Sequence, residues 1–546
     1  MNIDLLKSFP EKFKPSKSQV KLLNSIDEAF KSGVKFVVCS APTGSGKSFI
    51  SKTLGNAANQ ASDKFTDLVN SYKIFKRGPS GEYAYEDAIY DEKPFGAFAL
   101  TLTKALQDQY KELFTNTGML KGKINYQCTY DTDFTVEHAP CVHVRAIRDA
   151  CWESNTCPYY VNRNNVITSN FSVLNYNMFF SLPEHVKRRE YIICDEASEI
   201  EDMLVKEFSC EIIFDVLKRS KIEVPSVPLS TEYDKMSRWV NTITNRVGDK
   251  LADITSKLSD RDLKKSNVQS AIRIEFDVIT KLHNKLKTLL STWQDSEYVV
   301  DRFDKGIRFI PLKVDKLAEK IFKFADKIVL MSATIIDPAS FCKTLGITDY
   351  KYIEADSTFD AEKAPIYITT KVKLNYNNLQ SNLPGIIKQI QTICDMHPND
   401  KGIIHTQTNA ITAALKGKLR NKRMLYREAG VRNEEILDVH YNTDEPTILV
   451  SPSMSHGVDL KGDLAKFQII IKAPYLPIAD KRIERLMKED FSWYQNKMLS
   501  SFIQACGRGV RSKDDSCVTY VMDGAIVEAL VRAKSKVPKY FLDRFI

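Results

Sequence analysis

"VKFVVCSAPTGSGKSFISKTL", residues 34–54, decides the fold. It reads as a strand rich in β-branched residues, a turn carrying Gly44 and Gly46, and a helix. Glycines in such a turn let successive backbone N–H groups curl around an anion, and the helix N-terminus adds a favourable dipole. "APTGSGKS" has the P-loop pattern, with Ala41 in the place of the first glycine. Thr43, Gly44, Ser45, Gly46 and Lys47 are therefore candidate phosphate-binding residues, with Lys47 reaching the β and γ phosphates. The Ser48 hydroxyl is a candidate Mg²⁺ ligand.

A strand of this kind needs parallel neighbours. "FGAFALTLT", "REYIICDE", "DKIVLMSAT", "KGIIHTQT", "PTILVSPS", "FQIIIKAP" and "CVTYVMD" supply them, interleaved with helical patterns. They fall before and after about residue 345, which predicts two α/β domains, each on a parallel sheet. "YIICDEAS" delivers Asp195 and Glu196 at the C-terminal end of a strand, the usual ligand edge. Asp195 is expected to hold Mg²⁺, and Glu196 to orient and polarise an attacking water. A second carboxylate so placed points to nucleotide hydrolysis rather than binding alone.

The 546 residues are 43% hydrophobic and 27% charged, an ordinary globular composition. No apolar stretch approaches the ~20 residues that span a bilayer, and "MNIDLLKSFPEKFK" lacks the apolar core of a secretion signal. A cytoplasmic, membrane-free protein is expected, and a monomer. The net charge of +9 is compatible with a polyanionic partner without establishing one.

Eleven cysteines, an odd number, argue against a disulfide framework in this setting. Cys39, Cys194, Cys210, Cys342, Cys394, Cys506 and Cys517 are dispersed and read as small buried hydrophobes. Cys128, Cys141, Cys151 and Cys157 are gathered, with spacing C-x12-C-x9-C-x5-C and no CxxC knuckle. Four thiolates hold either Zn²⁺ or an iron–sulfur cluster, and spacing leaves both open; His138 and His143 stand nearby as substitute zinc ligands.

Between the two groups of strands the pattern becomes helical. Met236, Trp239, Ile243, Val247, Leu251, Ile254 and Leu258 form one stripe, and Val268, Ile272, Ile279, Leu282, Leu286 and Leu289 another. This predicts an antiparallel helix pair inserted into the first domain. Residues 75–96 read as an exposed loop. "SFIQACGRGVRS" places Gln504, Arg508 and Arg511 on one face of a predicted helix. Arginines there, opposite a P-loop on the other domain, suit a γ-phosphate whose charge shifts during transfer. ATP is then expected in an interdomain cleft.

The ordered motifs resemble a superfamily 2 helicase. "APTGSGKS", "TLTKALQDQ", "DEAS", "LMSATI", "HTQT", "MSHGVDLKGD" and "QACGRGVR" look like motifs I, Ia, II, III, IV, V and VI, and Gln19 like the upstream adenine-contacting glutamine. Ser198 departs from the pattern, standing where histidine is common. "LKGKINYQC" with three more cysteines and "CPYY" is similar to the XPD/DinG iron–sulfur helicases.

That resemblance implies two RecA-like motor domains, the first from residues 1–117, 167–199 and 321–345, the second from 346–546. It implies a cluster domain over 118–166 and a helical, Arch-like insertion over 200–320. It implies ATP and Mg²⁺ as cofactors, Asp459 as a further nucleotide contact, and a [4Fe–4S] cluster on Cys128, Cys141, Cys151 and Cys157. The implied activity is 5′→3′ translocation on single-stranded and forked DNA in repair, recombination or replication. Thr101, Thr103 and the backbone at Gly457 are candidate phosphate contacts; Tyr126 and Tyr159 read first as core packing and are also candidate base-stacking rings. Lys416, Lys418, Arg420, Lys422, Arg423 and Arg427 form a basic run that reads as a solvated face, with strand contact the alternative. Rival readings are an RNA helicase, a non-unwinding translocase or an ATP-switched clamp. A P-loop kinase would leave motifs III, V and VI without a role.

Overall fold

The structure is a computed structural model. It describes residues 5–546 apart from 43, 77–91, 143, 260–266, 357–359, 371, 376, 427–432, 453–459, 461 and 511–514. Two parallel sheets dominate it. The first has strand order Tyr350–Glu354, Phe36–Ser40, Ala325–Ser332, Arg189–Asp195, Ala97–Thr101, Phe171–Asn175, Gly118–Met119. The second runs Ile366–Ile368, Val518–Val521, Phe467–Ile470, Gly402–His405, Ile448–Ser451, Met424–Tyr426. Every pairing in both is parallel, the arrangement in which helices cover both faces and the inner strands are largely apolar. All seven residues of Arg189–Asp195 are buried.

The expected domain division at residue 345 needs correction. Strand Tyr350–Glu354 pairs along the whole of Phe36–Ser40 and belongs to the first sheet. Its residues alternate between half-buried and exposed, as an edge strand allows, so it lacks the apolar run by which inner strands announce themselves. Phe171–Asn175 was equally inconspicuous as "FSVLN".

The inserted segment forms the expected hairpin of Tyr233–Ser259 and Asn267–Thr292. Lys250 pairs with Glu275 at 3.2 Å, and Gly248 lies against His283, which sets the antiparallel register. The insertion is not wholly helical. Cys210–Ile213, Gly306–Pro311 and Tyr298–Phe303 make a three-stranded antiparallel sheet under the hairpin, sharing its core through Ile212, Ile307, Phe309 and Trp293.

Of the loop expected over 75–96, residues 77–91 lie outside the described set. Its far end is core: Phe95 is 2% exposed and Gly96, at φ 58°, turns the chain into strand Ala97–Thr101. Among the described residues no helix is long and apolar enough to cross a membrane.

Candidate active site and cysteine cluster

The P-loop turn is built as its glycines require. Gly44 and Gly46 both lie at positive φ, 76° and 80°, where an L side chain is strained. Gly46 caps helix Lys47–Ala57, and a Cβ there would run into Gln19 Nε2. Gln19 is committed at both ends of its amide: Oε1 accepts from Ser16 N at 2.9 Å in a capping box, and Nε2 donates to Ser45 O at 3.4 Å. An adenine contact by Gln19 requires that amide to leave the P-loop. Thr43 lies outside the described residues.

Lys47 and Glu196 meet across the site, Nζ to Oε1 at 3.1 Å. Glu196 is a non-glycine residue in the left-handed region, φ 52°. That turn, immediately after the strand, directs its carboxylate back towards the P-loop. Asp195 is buried; burial, partly offset by Lys47 and reinforced by Glu196, raises its carboxyl to about 6. A bound cation is what would make its ionised form comfortable. Tyr110, 1% exposed, joins the candidate Mg²⁺ ligands: its hydroxyl lies 3.4 Å from Asp195 Oδ2, 3.1 Å from Ser51 Oγ and within hydrogen-bond reach of Ser48. Sequence reading missed Tyr110 because a tyrosine in an amphipathic helix looks like core.

Ser198, the departure from the usual motif, is fully used. Its hydroxyl lies 2.9 Å from Ser332 Oγ and accepts from Thr334 Oγ1 at 3.0 Å. Ser332 Oγ donates to Glu196 Oε2 at 3.4 Å, and Gln504 Nε2, from the second domain, reaches Glu199 Oε1 at 3.0 Å and Thr334 Oγ1 at 3.5 Å. A chain of hydroxyls therefore runs from the catalytic-base candidate to the opposite domain. Ser198→Ala removes two of its links, each about 1 kcal/mol. It is expected to lower the strand-stimulated ATPase about fivefold while leaving basal turnover within about twofold, measured by steady-state hydrolysis with and without single strands.

The expected helix through Gln504, Arg508 and Arg511 needs correction. Helix Phe491–Cys506 ends before Arg508, at the Gly507 C-cap. Gly509 packs on Cys517 so closely that a Cβ would sit 2.5 Å from its Sγ. Arg508 therefore lies in the turn after the helix, its N–H bonded to Ala505 O at 3.2 Å, beside His405. Burial and that arginine, against a Gln468 hydrogen bond, push His405 down to about 4, so it is neutral. Arg511, Gly457 and Asp459 lie outside the described residues.

A second interdomain contact had no sequence signal. Glu201, 5% exposed and one turn beyond "DEAS", accepts from Arg482 Nη2 at 2.7 Å, Lys497 Nζ at 3.0 Å and Trp493 Nε1 at 3.1 Å. Arg482 Nε also donates to Pro311 O at 2.9 Å, tying the insertion to the same knot. Each charge alone reads as a helix surface. Only their convergence shows a seam.

The four gathered cysteines are all buried. They act on one another electrostatically: Cys151, Cys128 and Cys157 all bear on Cys141, which burial first and these neighbours next push up to about 11. Thiols so placed ionise only with a compensating cation. Among the described residues no three His, Cys, Asp or Glu side chains converge tightly enough to hold a single metal ion. His138, the described one of the two substitute zinc ligands, has its Nδ1 2.8 Å from Asp277 on the inserted hairpin. His143 lies outside the described residues.

Candidate strand contacts fare unevenly. Thr101 is fully buried at the end of its strand, so a phosphate contact from its side chain is excluded in this state. Thr103 is exposed and caps helix Lys104–Leu113, its hydroxyl accepting from Leu106 N at 3.3 Å. Tyr159 is 8% exposed and packs edge-on against Tyr126 at 5.6 Å, the core packing that its sequence reading put first, and not a free stacking face. Half-buried Tyr126 accepts from Lys121 N at 3.1 Å. In the basic run, Arg423 is structural, donating to Pro446 O, Cys394 O and Asp400 O; Arg427 lies outside the described residues.

With this geometry in place, two family models match. Residues 104–217 match DEAD_2, and residues 404–542 match the helicase C-terminal domain. The chain is an XPD/DinG-like superfamily 2 helicase. Solved structures share the fold of this helicase along nearly its whole length. One described as an XPD helicase covers 98% of this chain and 99% of its own at TM-score 0.62 and 14% identity. S. tokodaii Xpd4 covers 97% of this chain and 100% of its own at TM-score 0.56 and 15% identity. No curated protein sequence matches at comparable significance. The chain's domains are those of an ATP-hydrolysing helicase.

Proposed function

We propose that this helicase translocates 5′→3′ on single-stranded DNA, opens forked duplexes, and serves repair, recombination or replication. The observation that carries the motor reading is the hydroxyl chain from Glu196 through Ser332, Ser198 and Thr334 to Gln504, which joins the nucleotide site to the second domain. ATP bound by Gly44–Ser48 draws the two domains together; hydrolysis, with Glu196 accepting the water proton, lets them part. The DNA substrate and its polarity follow the motif resemblance.

In this reading Cys128, Cys141, Cys151 and Cys157 hold a [4Fe–4S] cluster that braces residues 118–166, a segment too small to be stable on a core of its own. What supports the reading is the donor set itself, four buried cysteines that act on one another electrostatically. The cluster segment meets the inserted hairpin through His138–Asp277 at 2.8 Å, Glu137–Lys281 at 3.4 Å and Arg273 over Phe134 at 4.3 Å. A strand passing between them would be confined on both sides.

The test compares ATPase stimulation by matched DNA and RNA single strands, then unwinding of 5′-tailed and 3′-tailed duplexes. Stimulation by DNA of at least about tenfold and opening of the 5′-tailed duplex alone are expected. Equal stimulation by RNA, or preference for the 3′ tail, overturns the substrate or the polarity respectively.

A further inference from the structure

Lys123 and Arg163 lie within electrostatic reach of the cysteine quartet and Arg148 within reach of Lys123, and among the described residues none of the three forms an ion pair. Arg163, 8% exposed, is enclosed by rings: its guanidinium carbon lies 3.7 Å from the centre of Phe75, 4.8 Å from Tyr160, 5.5 Å from Trp152 and 5.9 Å from Tyr72. Its Nε and Nη2 are buried without a hydrogen-bond partner among the described residues. Arg148 lies over the other reach of Trp152 at 5.6 Å, and its Nε is likewise buried and unpartnered. Lys123 lies over Tyr159 at 5.5 Å. The three repel one another at Lys123, while Cys141 and Cys157 attract it. Cys157 also acts on Arg163.

Buried guanidinium groups ordinarily take carboxylates as partners, because an unpaired charge out of water is costly. Ring faces recover part of that cost. They leave the net positive charge uncancelled. What the arrangement lacks is an anion, and the quartet supplies one when ionised: Cys157 acts on both Arg163 and Lys123, and Cys141 on Lys123. Four thiolates around a [4Fe–4S]²⁺ core carry a net charge of −2.

We propose that Arg163, with Lys123 and Arg148 beside it, is the buried counter-charge of the cysteine-held cluster and sets both its retention and its reduction potential. This rests on the four-iron reading above. Arg163 acts through the cluster and is a positioning residue. When a chemical reductant such as dithionite delivers one electron, the core passes from [4Fe–4S]²⁺ to [4Fe–4S]⁺ and the assembly from −2 to −3. A nearby cation favours the more negative state, so removing it makes reduction harder.

The test uses full-length chain purified anaerobically, as wild type, Arg163→Lys and Arg163→Met. Iron and acid-labile sulfide are assayed, and the cluster is titrated with dithionite under spectroscopic observation. Wild type is expected to hold about four irons and four sulfides. Arg163→Lys should titrate close to wild type. Arg163→Met should show an about tenfold lower reduced-to-oxidised ratio at a given potential, about 59 mV for one electron, or should lose the cluster where Arg163→Lys keeps it. Both substitutions disturb the ring cage, but only one removes the charge. Equal potentials in all three chains, or equal cluster loss in both variants, overturn the inference and leave the cluster reading standing. Wild type free of iron and sulfide overturns the cluster reading itself, and this inference with it.

Discussion

Replacing Glu196 by glutamine is expected to slow ATP turnover by about 10²–10⁴-fold, the range that a positioned general base contributes. Glutamine keeps the size of the side chain and can still orient a water, but it cannot take the proton that water gives up. It also weakens the Lys47 contact, an ion pair at 3.1 Å, to a neutral hydrogen bond. Lys47 is thereby freer to meet the phosphates, so nucleotide affinity should hold or rise while turnover collapses. Steady-state hydrolysis at saturating Mg·ATP, beside equilibrium binding of a fluorescent nucleotide, separates the two effects. Turnover within about tenfold of wild type would remove Glu196 from the catalytic role. An ATP-switched clamp would likewise keep its function in this variant, whereas a motor would stop.

The second large effect is expected at the seam. Glu201→Ala leaves Arg482, 3% exposed, without its carboxylate and Lys497 with only the more exposed Asp202, 3.0 Å away. Breaking a buried ion network by removing one member costs about 3–5 kcal/mol. Thermal unfolding should therefore begin roughly 10 °C lower, since ~1 kcal/mol moves the midpoint of a domain of this size by 2–4 °C. Protease cleavage between the two motor domains should be faster as well. Replacing Glu201, Arg482 and Lys497 together by methionine is expected to recover most of the loss, because it removes the unpaired charges along with the pair. Recovery in the triple variant separates electrostatics from packing.

The same knot predicts acid sensitivity. Burial alone would raise the Glu201 carboxyl, but Lys497 and Arg482 overcome it and hold it down to about 2, against 4.5 for an ordinary glutamate. A group depressed in the folded state stabilises fully above its unfolded value. Its contribution, about 3 kcal/mol, is thus present above pH 4.5 and lost as the pH falls towards 2. Glu201→Ala should flatten the stability profile across that window, and an unchanged slope there would remove Glu201 as its source.

Legibility followed the distance over which each feature is encoded. The P-loop, the Asp195–Glu196 pair and eight inner strands could be read because a strand, a turn and a helix start lie within some twenty residues, and local sterics settle them. Edge strand Tyr350–Glu354 escaped because half its surface faces water and no apolar run marks it. The helix expected to carry Arg508 was overextended because periodicity does not weigh Gly507 and Gly509, one a cap and the other pressed on Cys517. Tyr159 reads as core or as a stacking ring because an aromatic face suits both, and its packing on Tyr126 takes it inside the cysteine segment.

By itself the sequence determined the two α/β domains, the phosphate turn, the acidic pair at a strand end and the gathering of four cysteines. These depend on backbone preference and side-chain chemistry at short range. Only the tertiary structure decided that Ser198 links Ser332 to Thr334, that Glu201 locks onto Arg482 and Lys497, and that Arg163 sits ringed by aromatics near Cys157. Most of those partners are remote in the chain: Ser198 from Ser332, Glu201 from Arg482 and Lys497, and Phe75 from Arg163. A charge or hydroxyl whose partner is that remote looks like any exposed polar residue until packing takes it out of water. Only then does burial make the missing or matching partner matter.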